Sequence, residues 1–495
     1  MKPRLMAKRI LTAVLCLMLS LSLSLMGQAV TVEAGAYDRE AVSLNGTWDF
    51  YPNNGSTRYD IRVPSYWDTP EEYNYPLEWR NLTYGVYRKS FTVPSSMSDS
   101  EIFLKIGALS VLGKVYVNGN RVGGEETGNY IMMMLPYEID ITPYVNVGQS
   151  NSLEIHVYGS ASFPSDALSS SGKFLYPVGT EFISGIGRRG ICGDVKIISK
   201  PKVHISDVQI ITDLKKNTNP SDDTITLKIS VDNKTSSSKT VTVKNSATLI
   251  NGSGGKTFSG QIVSIPAKST STITISNVSW TDASYWWPHD PKLYVLTTEL
   301  VQNGVVIDKL DSRFGFRQFY CKPNSNYFEL NGIRANLRGD SLDYLNSERN
   351  RYYIYDSYNE CPSNGAIDIV KMTLDEAKKL NMNVIRNHIR SFTSDEIFDY
   401  ADEIGMMMID EAPFWEPHLN MDYGSVTVRN CTEWVKRWAK SIKNHPSIIM
   451  YSTTNEAWGS QDDTILMPAL RDAILSYDTT RPIYNDGEGS DLPCH

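Results

Sequence analysis

The segment Ile448-Ile449-Met450-Tyr451-Ser452-Thr453-Thr454-Asn455-Glu456-Ala457-Trp458 decides the fold, because in it an apolar strand runs directly into an Asn-Glu pair. A β/α barrel places its chemistry at the carboxyl ends of its buried strands. Glu456 is therefore the first candidate for a proton donor. Taken alone, a glutamate after a strand can also cap the next helix or pair with a cation. The neighbouring segments decide between these interpretations.

Strand and helix signals alternate from residue 328 to the end of the chain. Asn331-Gly332 predicts a hairpin, because both residues tolerate positive φ. Thr373 to Glu376 has the pattern of a capping box and predicts a helix start. Ser394 opens another predicted helix, which Gly405 can end in the left-handed conformation. The other predicted elements are strands at 383–386, 406–409 and 483–485, a helix at 465–476, and a helix on which Cys431, Trp434, Val435, Trp438 and Ile442 share one face.

Repeated βα units with short connections indicate a parallel sheet over residues 317–495. About five such units fit before His495, whereas a closed barrel has eight. Short alternating strands between Gly, Asn and Pro turns predict a β-sandwich over 37–199. More polar strands, rich in Thr and Ser, predict an immunoglobulin-like sandwich over 200–316.

The amino terminus has the layout of a secretory signal peptide over residues 1–34, with basic residues, an apolar stretch and a small-residue cleavage site. This predicts a secreted, extracellular or cell-envelope protein with no membrane contact after cleavage; an uncleaved anchor is the alternative. The chain carries a net charge of -8, and cleavage removes more basic than acidic residues. An acidic protein argues against a nucleic-acid partner.

The cysteines give no sign of a metal site. Five remain after cleavage: Cys192, Cys321, Cys361, Cys431 and Cys494. No two of them form a C-x-x-C pair, and no histidine has ligand-like spacing around them, so a structural zinc is not expected. Cys431 is predicted to be a buried apolar residue. One disulfide among the others is compatible with export, and its pairing stays open.

The whole chain resembles glycoside hydrolase family 2, which contains β-galactosidases, β-glucuronidases and β-mannosidases. The matching segments follow the family's order: Leu44-Asn45-Gly46-Thr47-Trp48, Val63-Pro64-Ser65-Tyr66-Trp67, Tyr84-Gly85-Val86-Tyr87-Arg88, Val117-Asn118-Gly119, Asp140-Ile141-Thr142, Gly185-Ile186-Gly187-Arg188, Trp286-Trp287-Pro288, Phe314-Gly315-Phe316-Arg317 and Asn444-His445-Pro446 leading to Asn455-Glu456. The resemblance implies a multidomain β plus α/β protein: a sugar-binding jelly-roll β-sandwich, an immunoglobulin-like β-sandwich, then an incomplete (β/α)8 TIM barrel.

The resemblance also implies the chemistry of the site. Retaining glycosidases place two carboxyl groups about 5 Å apart, one as nucleophile and one as acid/base. Glu456 takes the acid/base role by resemblance, and Asn455 would bind the sugar 2-hydroxyl. Where the family's β-galactosidases often help to bind sugar and metal, this chain has Arg338-Gly339-Asp340-Ser341-Leu342-Asp343. It departs from their pattern there, so neither galactose specificity nor a magnesium site can be inferred. No residue is assigned as a metal ligand, no cofactor is expected, metal dependence stays open, and Asp340 stays a candidate substrate contact.

Five further residues are candidates for substrate binding. Arg386 and His388 end a predicted strand and match the stretch that lines the family's sugar subsite; a purely structural histidine is the alternative for His388. Glu411 ends the next strand and could orient Arg386 or Glu456, or form a structural ion pair. Trp415 and Trp458 could stack on a sugar face, or fill the core.

The family's nucleophilic glutamate lies on a later barrel strand, which this sequence does not reach. Glu488 is the last glutamate, does not match the nucleophile segment, and is interpreted as part of a solvent-exposed loop. The resemblance implies a retaining exo-acting β-glycosidase of the β-galactosidase-like type, with a carbohydrate substrate and its nucleophile missing from this chain. The alternative is a catalytically inactive carbohydrate-binding fragment. We expect little turnover from the 495-residue form; the sugar, the linkage and the oligomeric state stay open.

Overall fold

The computed structural model describes residues 39–68, 73–123, 130–180, 188–214, 222–321, 327–342, 365–388 and 395–485. The predicted signal peptide, Cys361, Cys494 and Glu488 lie outside these residues. Among the helices of the described ranges, none has both the length and the apolar character needed to cross a bilayer.

The first unit is an antiparallel β-sandwich, as its alternating pattern predicts. One sheet has the strand order β1-β14-β6-β11, a larger one has β10-β8-β12-β5-β2-β3 with β9 on β8, and a small one has β4-β13-β7. Buried aromatic side chains fill the space between the sheets; the Phe50 ring lies 4.8 Å from Trp79 and 5.0 Å from Tyr87. The strands are β1 (Ala41–Ser43), β2 (Gly46–Pro52), β3 (Tyr59–Val63), β4 (Ser65–Tyr66), β5 (Tyr84–Thr92), β6 (Glu101–Ile106), β7 (Leu109–Ser110), β8 (Leu112–Val117), β9 (Asn120–Val122), β10 (Ile131–Met132), β11 (Tyr137–Asp140), β12 (Ser150–Tyr158), β13 (Gly190–Ile191) and β14 (Val195–Lys200).

The second unit is a sandwich with a core of its own. Its two sheets have the orders β15-β16-β20 and β18-β17-β23-β24, with β19 on β17. Every second residue of β16 is buried, from Ile225 to Val231, because successive side chains of a strand point to opposite faces. The strands are β15 (Val203–Asp213), β16 (Thr224–Asn233), β17 (Lys239–Leu249), β18 (Gly255–Thr257), β19 (Gln261–Ile265), β20 (Ser269–Ser279), β21 (Trp286–Trp287), β22 (Asp290–Pro291), β23 (Tyr294–Gln302) and β24 (Val305–Phe314).

The third unit holds five parallel strands that are neighbours in chain order. They are β28 (Gly339–Leu342), β29 (Val384–Asn387), β30 (Met407–Glu411), β31 (Ile448–Ser452) and β32 (Ile483–Tyr484). A small antiparallel sheet precedes them, with β25 (Phe319–Cys321), β26 (Phe328–Leu330) and β27 (Ile333–Ala335). Asn331 and Gly332 turn between β26 and β27 with φ of 50° and 78°, which confirms the predicted hairpin. The helices are α1 (Gly365–Lys379), α2 (Asp395–Ile404), α3 (Pro417–Asn420), α4 (Ser425–Ile442) and α5 (Met467–Leu475), with a π-helical turn at Asp462–Leu466.

The predicted start of α1 at Thr373 is wrong, because the helix already begins at Gly365. Val370, Leu374 and Ala377 are buried at a spacing of one helical turn, so the apolar face extends upstream of the capping-box pattern. Packing of that face outweighs the local preference of a threonine for a helix end.

Helix α2 ends where predicted and α4 has its predicted buried face, whereas Ser394, the predicted start of α2, lies outside the described residues. Gly405 ends α2 with φ of 70°, and a Cβ there would lie 2.4 Å from the Pro288 carbonyl oxygen, so the position needs glycine for two reasons. The predicted apolar face of α4, which includes Cys431, Trp434 and Trp438, is fully buried. Each large apolar side chain buried in this way contributes roughly 1.5–3 kcal/mol.

Both sandwiches contact the βα unit directly. The Trp434 indole on α4 donates to the Met133 carbonyl of the first sandwich, at 2.9 Å. On the second sandwich, the Trp286 indole donates to the Asp402 carbonyl at the end of α2, at 2.8 Å. The first sandwich also reaches the loop after β30, where the Phe174 N–H donates to the Asn420 carbonyl. That loop lies at the carboxyl ends of the parallel strands.

Candidate active site

Strand β30 ends in two neighbouring carboxyl groups, Asp410 and Glu411, that face opposite sides of the sheet. The Asp410 carboxylate accepts from the Trp438 indole on α4 at 2.6 Å, so Asp410 faces the helices. Its neighbour Glu411 must face the opposite side of the sheet, because side chains alternate along a strand. Arg386 on β29 lies on that same side and meets Glu411 there. The face of the sheet that points away from the helices, its inner face, therefore carries charged side chains at the carboxyl ends of the strands.

Glu411 is the centre of a buried hydrogen-bond network. Its carboxylate accepts from Arg386 Nη2 at 2.6 Å, from His388 Nδ1 at 2.8 Å and from the Ser452 hydroxyl at 2.6 Å. Burial alone would raise the pKa of this carboxyl, but the hydrogen bond from His388 and the charge of Arg386 outweigh burial and hold the pKa below its usual value. Glu411 is therefore a charged anchor that fixes the orientation of Arg386 and His388.

Arg386 in turn orients Asn455. Its Nη2 donates to Asn455 Oδ1 at 2.7 Å. A guanidinium only donates hydrogen bonds, so the oxygen of the amide must be the atom that faces Arg386. The Asn455 amide nitrogen then points its donors to the other side. This orientation suits the predicted contact of Asn455 with a sugar hydroxyl.

Glu456 lies four residues beyond the end of β31. Its φ of 48° is in the left-handed region, which is uncommon for a residue with a side chain and is frequent at functional sites. The carboxyl is half-buried, and its Oε2 accepts from the Trp415 indole Nε1 at 2.5 Å. The Asn455 N–H donates to the Phe414 carbonyl and the Glu416 N–H to the Asn455 carbonyl, each at 3.0 Å. These two bonds fix the loop after β30 beside the loop that carries Glu456.

The turn after Glu456 is held by residues that the sequence did not single out. The buried Asp462 carboxylate accepts from the Gly459 N–H at 2.9 Å, from His418 Nδ1 at 3.0 Å and from the Tyr423 hydroxyl. Asp462 opens the π-helical turn, a feature that is frequent at functional sites. The one available sequence signal was the acidic pair Asp462-Asp463 after Gly459-Ser460.

The structure brings most of the candidate residues together, but not all. Glu456, Asn455, Arg386, His388, Glu411 and Trp415 form one connected group. Trp458 lies two residues from Glu456 and is 56% exposed. Asp340 lies apart: it is exposed, its carboxylate accepts from the Ser341 N–H, and it is paired in register with Ile385, which faces the helices. The roles of all eight residues stay predictions.

One group in the described residues has the spacing of metal ligands, namely Asp399, Asp402 and His445. It lies near the amino end of β31, opposite the candidate active site. Asp402 is already engaged, because its carboxylate accepts from His445 Nδ1 at 2.7 Å and from the Ser447 N–H at 2.9 Å. Burial raises the pKa of Asp399 to about 6, against the opposing charges of His445 and Arg313. The group is a set of ion pairs between α2 and the turn before β31.

Three of the five remaining cysteines lie in the described part of the chain. Cys192, Cys321 and Cys431 are free thiols. Cys431 is fully buried, as predicted, and burial raises its pKa well above the usual value of a thiol.

Sandwich domains that precede a βα sheet with polar groups at its carboxyl edge are the architecture of a multidomain barrel enzyme. Sequence models of three domains match the chain: the glycosyl hydrolase 2 galactose-binding domain-like domain over 64–184, glycosyl hydrolases family 2 over 203–317, and the family 2 TIM barrel domain over 364–492. Together these matches cover about three quarters of the chain. The chain belongs to glycoside hydrolase family 2. Members of this family hydrolyse O-glycosyl bonds.

Individual relatives are distant. A β-galactosidase of Halalkalibacterium halodurans is 25% identical over 495 residues, which cover 90% of this chain and 44% of that protein. A putative β-glucuronidase of Formosa agariphila is 27% identical over 378 residues, which cover 76% of this chain and 40% of that protein. The chain thus spans less than half the length of these two curated relatives.

Solved structures share the fold. A family 2 β-galacturonidase from Eisenbergiella tayi, bound to galacturonate, superposes with a TM-score of 0.70 at 19% identity, covering 91% of this chain and 72% of that one. The β-D-glucuronidase of Dictyoglomus thermophilum gives a TM-score of 0.63 at 22% identity, covering 90% and 72%.

Proposed function

We propose that this chain carries the proton-donor side of the active site of a retaining, exo-acting β-glycosidase. Glu456 protonates the leaving oxygen of a β-linked sugar and then activates the water that releases the sugar from the enzyme. The observation that supports this role is the position of the Glu456 carboxyl, beside Asn455 at the carboxyl edge of the parallel sheet, with one oxygen held by Trp415.

Double displacement requires a second carboxylate as nucleophile. Glu411 is unsuited to that task, because its two oxygens accept hydrogen bonds from Arg386, His388 and Ser452. We propose that the nucleophile lies on a later strand of the barrel, beyond this chain, so that the 495-residue form is an incomplete barrel with little or no turnover. The alternative of a carbohydrate-binding fragment without catalysis remains an outcome of the test below.

We propose a galactose-like sugar as substrate, because β-galactosidases recur among the curated relatives that the chain matches. Names among the relatives include both β-galactosidase and putative β-glucuronidase, so the assay has to include both sugars.

The test is hydrolysis of 4-nitrophenyl β-glycosides, with galactoside, glucoside, mannoside and glucuronide compared side by side. The protein is expressed from the coding sequence read to the end of the barrel, and the 495-residue chain is run in parallel. We expect the complete protein to hydrolyse the galactoside fastest, with the β-anomer of the sugar appearing first by ¹H NMR. A complete protein that binds galactosides and hydrolyses none of the four would overturn the proposal and leave the binding fragment.

We also propose export of the mature protein to the outside of the cell or the cell envelope. The support is the basic and apolar pattern of residues 1–34. Amino-terminal sequencing of the protein from culture fractions tests it. A mature chain that begins near residue 35 supports export, whereas an intact Met1 in the cytoplasmic fraction contradicts it.

A further inference from the structure

We propose that Trp415 is a positioning residue for the proton donor, and that Thr180 of the first sandwich holds Trp415 in place. This inference rests on the proposed function of Glu456. It assigns to Trp415 a role different from sugar stacking, and it makes the first sandwich a part of the machinery that orients the reacting carboxyl.

The indole fixes which oxygen of Glu456 carries the proton. Trp415 Nε1 can only donate, and it lies 2.5 Å from Glu456 Oε2, so Oε2 must act as the acceptor. A protonated carboxyl has a single O–H, and because its carbonyl oxygen is the stronger acceptor, the indole bond at Oε2 favours the O–H on Oε1. The proton is presented from one defined oxygen, in the geometry that rapid transfer to a leaving group requires.

Backbone contacts keep the two side chains together. The residues on either side of Trp415, Phe414 and Glu416, are both bonded to the backbone of Asn455 at 3.0 Å. Glu456 follows immediately in a left-handed conformation, which turns its side chain toward the indole. The hydrogen bond between Trp415 and Glu456 thus joins two loops that are already paired.

Thr180 of the first sandwich binds the backbone carbonyl of Trp415. The Thr180 N–H donates to the Trp415 carbonyl at 3.2 Å, and its hydroxyl donates to the same oxygen at 3.4 Å. That hydroxyl also accepts from Asn420 Nδ2 at 3.0 Å. A few residues earlier, Phe174 is bridged to Met421. A segment of the sandwich therefore runs alongside the loop after β30.

A stacking role would use the ring face of Trp415 instead of its N–H group. The His388 ring lies 6.4 Å from the Trp415 ring at 57°, so this neighbour is tilted and does not form a flat platform with it. Trp458, at 56% exposure, is better placed to present a ring face to a ligand. The geometry separates the two tryptophans into a positioning residue and a stacking candidate.

The hydrogen bond is tested in the 495-residue chain by NMR of ¹⁵N-tryptophan, with Trp415→Phe to assign the signal. We expect the Trp415 indole proton downfield of the Trp434 indole proton, because the hydrogen bond to Glu456 is the shorter of the two. Glu456→Ala, which removes the acceptor, should move the Trp415 signal upfield and leave that of Trp434 in place. A Trp415 signal that does not respond to Glu456→Ala would overturn the inference. This readout needs no catalysis.

The positioning role is tested in the complete protein with galactosides of good and poor leaving groups. For Trp415→Phe we expect kcat/KM to fall about 10- to 100-fold with a poor leaving group and less than about 3-fold with 2,4-dinitrophenol, which needs little protonation. Thr180→Val should show the same selective loss with the poor leaving group, but a smaller one. Thr180→Ser, which keeps the hydroxyl, should have the kcat/KM of the wild type with both leaving groups. Trp434→Phe is the matched control, because it loses an indole hydrogen bond without selecting between leaving groups.

The outcomes are distinguishable. Equal losses for both leaving groups in Trp415→Phe would show a merely structural role and overturn the inference, while the proposed function would stand. A protein in which the Trp415 signal follows Glu456 but which hydrolyses no glycoside in its complete form would overturn the proposed function, and with it the claim that a proton donor is being positioned.

Discussion

Replacing Glu411 by glutamine perturbs the network that orients the candidate site. The variant keeps the shape of the side chain but removes the charge that pairs with Arg386 at 2.6 Å and receives the hydrogen bond of His388. Breaking a buried ion pair costs about 3–5 kcal/mol. The Arg386 side chain is 23% exposed, so water can hydrate part of its charge. We therefore expect a cost at the lower end of this range, about 3 kcal/mol.

Thermal unfolding followed by calorimetry measures this cost. A loss of about 3 kcal/mol lowers the Tm of a unit of 150–250 residues by about 6–12 °C. Glu433→Gln is the matched control, because Glu433 forms a partly exposed surface pair with Lys436 on α4, and surface pairs contribute less than about 1 kcal/mol. A shift in Glu411→Gln no larger than in Glu433→Gln would refute the reasoning.

The same variant has a defined pH dependence. The pKa of Glu411 is below its usual value in the folded protein, so this group adds stability above the unfolded pKa of about 4.3 and loses it as the pH falls through the folded value. The difference between wild type and Glu411→Gln should therefore be full at pH 7 and shrink below about pH 4. A difference that grows on acidification would contradict this assignment.

Three further predictions concern other parts of the molecule. Glu456→Gln in the complete protein should lower kcat/KM about 10²- to 10⁴-fold for poor leaving groups and far less for good ones; equal losses would show that Glu456 is not the donor. Asp399→Asn should raise the Tm at pH 7.5 and not below about pH 4, because burial raises the pKa of Asp399 to about 6 and the folded state therefore loses stability as the pH rises from the unfolded pKa of about 3.9 through that value; a lower Tm at pH 7.5 would contradict this. Gly405→Ala should lower the Tm by several degrees, since a Cβ would lie 2.4 Å from the Pro288 carbonyl; an unchanged Tm would show that the turn can relax.

Local chemistry made much of the fold predictable. The Asn331-Gly332 turn and the end of α2 at Gly405 depend on the φ preferences of single residues. Such preferences can be predicted from the residue type alone. The buried face of α4 follows from helical spacing. The start of α1 was missed, because the capping pattern at Thr373 lies inside a longer apolar face. Packing of this apolar face therefore outweighed the local capping pattern in setting where α1 begins.

The site was predictable where its residues lie at strand ends. Arg386, Glu411 and Asn455 meet because the carboxyl ends of neighbouring parallel strands share one edge. The hydrogen bond from Trp415 to Glu456 could not be read from spacing, since it depends on how two loops pair. The contribution of Thr180 comes from 235 residues upstream in the chain. Asp340 lies apart from this group, because the register of β28 pairs it with Ile385, which faces the helices.

The most direct test of the proton donor is chemical rescue of Glu456→Ala in the complete protein. With 2,4-dinitrophenyl β-galactoside the glycosyl-enzyme still forms, and azide can enter the space left by the missing carboxyl and attack the sugar. We predict that azide accelerates turnover and that the product is the β-galactosyl azide. An α-galactosyl azide would identify Glu456 as the nucleophile instead, and no effect of azide on rate or product would contradict its place at the reacting centre.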